Sequence, residues 1–146
     1  NIIYKSLIIK KSYIEVDEFD TGKRLLLNFG HTFGHAIEKT SNFKIPHGIA
    51  VAHGIQMALF FSKNFGLLSD KKYFKMNENM KKITNLSPLK KLNLTKFIQN
   101  LEKDKKHNKK NYRFILTKDI GEMLVYEISK KMNIKKILQR YFNNAN

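Results

Sequence analysis

Two histidines, His31 and His35, stand four residues apart in the stretch LNFGHTFGHAIE, which spans residues 27–38. On a helix, both imidazoles would project from one face and could hold a metal ion together. No glutamate lies between them, so the metalloprotease signature is absent. The pair is therefore compatible with a metal site, a substrate site or the half-buried face of an ordinary helix.

The neighbours of the pair favour a site that binds an anion. Gly30 and Gly34 place no side chains beside the histidines and so permit a close approach of backbone or ligand. Arg24 and Asn28 precede the predicted helix start by a few residues. A cation, an amide donor and a helix N-terminus together form a typical anion-binding arrangement.

Two further histidines, His47 and His53, follow this pair in the sequence. His47 directly follows Pro46 at the predicted start of the next helix, where it could meet the first helix in space. His53 lies within an apolar helical segment, and we expect it to be a packed or surface residue rather than a ligand.

The elements that must position these residues are mostly helical. Apolar periodicity and capping signals predict helices over residues 2–14, 30 or 31 to 38, about 47–64, 69 or 70 to about 82, about 95–103 and 133–142. The segment YRFILTKDIGEMLVYEIS, residues 112–129, predicts two short strands around an Asp-Ile-Gly-Glu turn. We therefore predict a mainly α fold with one short β-hairpin.

Burial in two of these helices follows from their apolar residues. The helix at residues 47–64 is apolar on most sides, which is typical of a central, buried helix. The first helix has apolar residues available for burial, namely Ile2, Ile3, Leu7, Ile8 and Tyr13.

Composition restricts the class of protein. A chain of 146 residues with 42% hydrophobic residues is expected to form a single domain over residues 1–146. The absence of cysteine excludes disulfides and thiolate metal sites. No apolar run reaches the roughly 18 residues of a membrane span, so we expect a soluble protein without a membrane partner. The first residue is asparagine and no signal peptide follows, so we expect a piece of a longer protein.

A formal charge of +16 raises the alternative of a basic helical module that binds nucleic acid. Most of the excess lies in residues 63–146, which hold 21 Lys/Arg against seven Asp/Glu. These lysines are spread along whole segments, and we expect no interleaved surface aromatics and find no recognition motif. Such a distribution is typical of a solvated surface, so nucleic acid is the less favoured partner.

Several motifs together resemble one enzyme family. The stretches DEFDTGKRLLLNFGHTFGHAIE and IPHGIAVAHG, with KDKK ahead of the hairpin, are similar to the C-terminal domain of 3-dehydroquinate synthase. The resemblance implies a lyase of the shikimate pathway that forms 3-dehydroquinate from 3-deoxy-arabino-heptulosonate 7-phosphate. It also implies NAD, a Zn²⁺ or Co²⁺ ion, a homodimer and a cytoplasmic location. The NAD-binding domain of that family is not part of this sequence, so we expect the chain alone to be inactive and to bind zinc weakly.

The resemblance also assigns roles to individual residues. It implies that the metal is held by His31 and His47, together with a glutamate of the preceding domain. It implies that His35 faces the substrate phosphate. The remaining substrate-binding residues would be Lys10, Arg24, Asn28 and Lys105, for which the neighbouring Lys11 and Lys106 are the nearest rivals.

One position departs from the family pattern. Where the family usually has an acidic residue two positions after the second metal ligand, this sequence has Ile49. The exact substrate therefore stays open between the seven-carbon sugar acid phosphate and the substrate of a related sugar phosphate cyclase. A cyclase domain that has lost activity and kept its fold is a further alternative.

Overall fold

Helices predominate in the computed structural model of this protein, which describes residues 1–84, 89, 92–104 and 107–144. The prediction of a mainly α fold with one short hairpin is confirmed, and the observed bounds lie within a few residues of the expected ones. The helices are α1 (Ile2–Val16), α2 (His31–Thr40), α3 (His47–Asn64), α4 (Asp70–Thr84), α5 (Leu94–Glu102) and α6 (Ile134–Asn144). The strands are β1 (Asn111–Asp119) and β2 (Glu122–Ser129), which pair antiparallel.

A short 3₁₀ helix, Lys23–Asn28, connects α1 to α2 and was not predicted. Asp17 shapes the turn before it, because its carboxylate accepts hydrogen bonds from the backbone N–H groups of Thr21, Gly22 and Arg24. These hydrogen bonds, that from Thr21 foremost, lower the pKa of Asp17. The turn places the 3₁₀ helix against α1.

Glycines let α2 and α3 approach each other closely. Gly30 precedes α2 with φ of 79°, a left-handed conformation that favours glycine. A Cβ added at Gly54 would stand 2.0 Å from the carbonyl oxygen of Gly30, and one added at Gly34 would stand 3.0 Å from Cα of Val51. The sequence leaves open whether backbone or a ligand lies beside Gly30 and Gly34. In the structure, residues of α3 occupy this space.

Three aromatic rings form the centre of the core and fix the orientation of α2. The ring centroid of Phe33 lies 4.8 Å from that of Phe61 in α3 and 4.9 Å from that of Phe114 in β1. All three rings are fully buried. Because Phe33 faces the core, the half-buried residues His31, His35 and Glu38 line another side of α2.

Helix α3 is central, as predicted, and the hairpin packs against it. The buried hydroxyl of Ser62 accepts a hydrogen bond of 3.0 Å from the backbone N–H of Thr117 in β1. Gly121, with φ of 80°, lies in the predicted Asp-Ile-Gly-Glu turn between the strands. Within the described residues, no helix has both the length and the apolar character needed to cross a bilayer.

The expected burial of α1 is wrong. Its residues Ile2, Ile3, Leu7 and Ile8 are between 49% and 82% exposed, and only Tyr13 of the expected set is half-buried. The physical reason is that α1 packs mainly against the 3₁₀ helix, which is too short to cover a helix of 15 residues. Its apolar residues are also interrupted by lysines, so they do not form a continuous face toward the core.

Candidate metal and substrate site

Three histidines from two helices form one cluster. The ring centroids of His31 and His35 lie 5.7 Å apart, those of His31 and His47 lie 5.5 Å apart, and those of His35 and His47 lie 5.9 Å apart. His31 and His35 meet because four residues make about one helical turn. His47 joins them because the connection over residues 41–46 turns the chain back, so the first residue of α3 lies beside α2.

The imidazole of His31 is oriented by the backbone just before α2. Its Nδ1 lies 3.3 Å from the carbonyl oxygen of Phe29. Because a carbonyl oxygen can only accept, Nδ1 carries the proton in this hydrogen bond. The lone pair is then on Nε2, as in a histidine prepared for metal binding.

The imidazole of His47 has an equivalent arrangement with a side chain. Its Nδ1 lies 3.2 Å from Oε1 of Glu38, one turn beyond His35 on α2. The Glu38 side chain is only 13% exposed, whereas that of His47 is 57% exposed. Sequence reasoning missed Glu38, although its spacing of seven from His31 and three from His35 places it on the same helical face.

The distances also outline a set of ligand atoms different from the one that the resemblance implies. One donor atom from each of His35, Glu38 and His47 lies within 4.8 Å of the others. Two imidazoles and a carboxylate form a donor set that zinc accepts. The ring centroids of His31 and His47, the pair predicted from the resemblance, lie 5.5 Å apart, and those of His35 and His47 lie 5.9 Å apart. Both candidate ligand sets therefore come from the same cluster.

A separate group of polar residues lines a cleft of about 470 Å³ between α1 and the 3₁₀ helix. The cleft brings together Lys10, Arg24 and Asn28, three of the predicted substrate residues. Arg24 is held in place because its Nη1 donates a 2.6 Å hydrogen bond to the carbonyl oxygen of Glu18. Only three positions separate Asn28 from His31, so their Cα atoms lie within about 11 Å of each other.

Sequence reasoning also missed Asp20, which lines the same cleft. Its φ is 55°, and its Oδ1 atom is buried without a hydrogen-bond partner among the described residues. The left-handed conformation of Asp20 could not be predicted from the sequence, because it depends on the turn that Asp17 forms with Thr21, Gly22 and Arg24. The cleft therefore pairs cationic groups with one carboxylate.

Four residues remain among the candidates and rivals considered from the sequence. Lys105 and its rival Lys106 lie outside the described residues. His53 is a packed residue at 5% exposure, as expected, and burial lowers its pKa. Lys11, the rival of Lys10, forms an ion pair with Glu15 on the exposed side of α1.

Comparison with known proteins identifies the family of this chain. The profile described as 3-dehydroquinate synthase C-terminal matches residues 1–107. The chain belongs to this family. A 3-dehydroquinate synthase of Clostridium tetani is 43% identical over 132 residues, which cover 90% of this chain and 35% of the relative. A 3-dehydroquinate synthase of Helicobacter pylori is 37% identical over 141 residues, covering 96% of this chain and 41% of the relative. The chain thus spans between 35% and 41% of the length of these family members.

Solved structures show which proteins share the fold. The crystal structure of 2-deoxy-scyllo-inosose synthase matches with a TM-score of 0.72 and 24% identity, over 87% of this chain and 36% of that one. A second structure of a protein with that name, complexed with carbaglucose-6-phosphate, NAD⁺ and Co²⁺, matches with a TM-score of 0.69. The 2-epi-5-epi-valiolone synthase of Streptomyces hygroscopicus, with NAD⁺ and Zn²⁺ bound, matches with a TM-score of 0.73 and 16% identity. At these identities the likeness concerns the fold.

Proposed function

We propose that this chain is the metal- and substrate-binding domain of a 3-dehydroquinate synthase, which converts 3-deoxy-arabino-heptulosonate 7-phosphate to 3-dehydroquinate with loss of phosphate. The observation that carries the proposal is the histidine cluster, where His31 and His47 each direct Nδ1 toward an oxygen acceptor. Family membership and the neighbouring cationic cleft support the same function.

The donor set suits a divalent metal ion. His31 and His47 would each supply Nε2, and further ligands would complete the four that zinc normally takes. When bound, Zn²⁺ or Co²⁺ would lower the pKa of substrate hydroxyls and so assist the transient oxidation by NAD. The proposal agrees with the Zn²⁺ or Co²⁺ and NAD⁺ in the structures of two fold relatives.

The cleft residues suit a substrate that carries both a carboxylate and a phosphate. Arg24 presents a planar guanidinium, which binds a carboxylate through two parallel hydrogen bonds. Lys10 adds a compact cation and Asn28 an amide that can bind hydroxyls. His35, which lies beside both metal-binding histidines, would face the departing phosphate, and Lys105 is proposed as a further phosphate ligand.

Activity is proposed to need more than this chain. With two histidines as its main ligands, the chain alone would bind zinc weakly, since catalytic sites normally supply three protein ligands. An NAD-binding domain and a third ligand would complete the site. We place the complete enzyme in the cytoplasm as a homodimer, by analogy with the family.

The experiment that tests this function is an assay of phosphate release. The chain is expressed together with the coding sequence that precedes it, and the seven-carbon substrate, NAD⁺ and Zn²⁺ are supplied. We expect release that is lost in His31→Ala and retained in Lys11→Ala, because Lys11 pairs with Glu15 and does not line the cleft. Equal release by wild type and His31→Ala would contradict the proposal.

Ile49 supports a second candidate, a related sugar phosphate cyclase. This residue lies two positions after His47, is 43% exposed and replaces the acidic residue expected there. The change alters polarity beside the proposed metal site. Phosphate release from a sugar phosphate without a carboxylate, in the absence of release from the seven-carbon acid, would favour this candidate.

A further inference from the structure

We propose that Glu38 is a positioning residue that holds His47 in the tautomer and orientation required of a metal ligand. The inference rests on the proposed function only in taking His47 as a ligand. It is carried by the 3.2 Å contact between Oε1 of Glu38 and Nδ1 of His47. Sequence resemblance gave Glu38 no role.

The fold places the two residues together at a conformational cost. The chain between α2 and α3 reverses through Asn42 and Phe43, which have φ of 53° and 58°. Such values are unfavourable for a bulky residue such as phenylalanine, and Phe43 is here 72% exposed. The turn is closed by a 2.8 Å hydrogen bond from the backbone N–H of Phe43 to the carbonyl oxygen of Glu38. The same residue thus fixes the turn through its backbone and His47 through its side chain.

The chemistry of the contact determines which nitrogen faces a metal ion. An ionised carboxylate can only accept, so the hydrogen bond requires the proton on Nδ1 of His47. Nε2 then carries the lone pair. Histidine ligands commonly donate their other N–H to a carboxylate or a carbonyl oxygen, which fixes the ring and increases its basicity. The carbonyl of Phe29 provides the same orientation for His31, so both proposed ligands present the same nitrogen.

Burial makes Glu38 suitable for this task. Its side chain is only 13% exposed, so the carboxylate itself is largely shielded from water, although the hydrogen bond that it accepts lies at the surface. His47 is 57% exposed and packs at the start of its helix, so its ring depends on a specific partner for orientation. Without Glu38, the ring of His47 would lose the acceptor that selects one tautomer.

The rival role is direct coordination, in which Glu38 and Nδ1 of His47 bind the same ion. The close grouping of donor atoms from His35, Glu38 and His47 is the observation behind this rival. The two roles differ in the protonated nitrogen of zinc-bound His47: Nδ1 if Glu38 positions the ring, Nε2 if Glu38 is a ligand. We favour positioning because His31 shows the same Nδ1 arrangement with an oxygen that belongs to the backbone.

The test is nitrogen NMR of the histidine side chains in the ¹⁵N-labelled chain, at a pH above the ordinary histidine pKa, with and without saturating Zn²⁺. The His47 signals are assigned by their loss in His47→Gln. We expect a protonated Nδ1 in both states and a zinc-bound Nε2. In Glu38→Ala, we expect the preference for protonated Nδ1 to be lost and zinc affinity to fall about 10- to 100-fold.

Two variants control for loss of the fold and for loss of charge. Glu38→Gln keeps an acceptor oxygen, so we expect it to retain the tautomer and to bind zinc with an affinity between those of wild type and Glu38→Ala. Glu78→Gln makes the same chemical change at an exposed residue paired with Lys81, so its tautomers and affinity should equal those of wild type.

Three results would overturn the inference: an unchanged His47 tautomer in folded Glu38→Ala, zinc bound to Nδ1 of His47, or equal zinc affinity in Glu38→Gln and Glu78→Gln. The last comparison applies even if Glu38→Ala fails to fold. Because none of these readouts uses phosphate release, failure of the proposed enzyme activity would leave the result on Glu38 interpretable.

Discussion

Gly54 of α3 lies against the carbonyl oxygen of Gly30 at the start of α2, and the gap leaves no room for a methyl group. Gly54→Ala should therefore force α2 and α3 apart and destabilise the protein by about 1–3 kcal/mol. Urea unfolding measures the change. Gly48→Ala is the matched control, because a Cβ at Gly48 meets no atom within 4 Å and should be neutral or slightly stabilising. Equal stability of the two variants would contradict the close contact.

The aromatic centre of the core should dominate stability. Phe33→Ala removes a ring that packs on both Phe61 and Phe114, and we expect a loss of about 3–5 kcal/mol. Phe19→Ala, at a residue 82% exposed, should change stability by less than about 0.5 kcal/mol. Thermal or urea unfolding monitored by circular dichroism compares the two. Similar losses would show that Phe33 is not packed as described.

Lys10 and Lys11 offer adjacent positions with opposite expected roles. Lys10 lines the cleft beside Arg24, and loss of a charged hydrogen bond to substrate costs about 1.5–3 kcal/mol. In the complete enzyme that we propose, Lys10→Ala should therefore lower kcat/KM by about 10- to 100-fold. Lys11→Ala removes only an exposed ion pair with Glu15 and should leave kcat/KM unchanged. A larger loss in Lys11→Ala would reverse the assignment of the two lysines.

Burial of His53 should make stability depend on pH. Burial lowers its pKa below the ordinary 6.5, so the unfolded chain binds a proton at a higher pH than the folded chain does. The His53 contribution is therefore complete above about pH 6.5 and declines as the pH falls below it, by at most about 1.4 kcal/mol per pH unit. Urea unfolding from neutral to mildly acidic pH measures this slope. His53→Gln should flatten it, and an identical slope in both proteins would assign the effect to other groups.

The local patterns of this sequence predicted the elements well. Apolar spacing located α3 and the hairpin with little error, because both segments are long, periodic and bounded by clear turn residues. Histidines four apart on α2 predicted correctly that their rings would lie close together. The 3₁₀ helix was missed because it depends on the Asp17 carboxylate rather than on periodicity.

Long-range features were harder to predict. Glu38 was overlooked because its partner lies on another helix, and only the turn at residues 41–46 brings the two together. The burial of α1 was overestimated because its apolar residues say nothing about whether another element is available to cover them. The contact between Gly54 and Gly30 likewise required the positions of two packed backbones.

The histidine cluster and Glu38 all lie within residues 31–47, on two helices and one short connection. In terms of contact order, this site is a local structure whose closure costs little chain entropy. Its side chains can come together as soon as α2 and α3 form a hairpin, before the distant strands dock. A residue inserted into the connection would change the orientation of His47 relative to Glu38. An insertion between β1 and β2 would change none of the residues that form or connect the cluster.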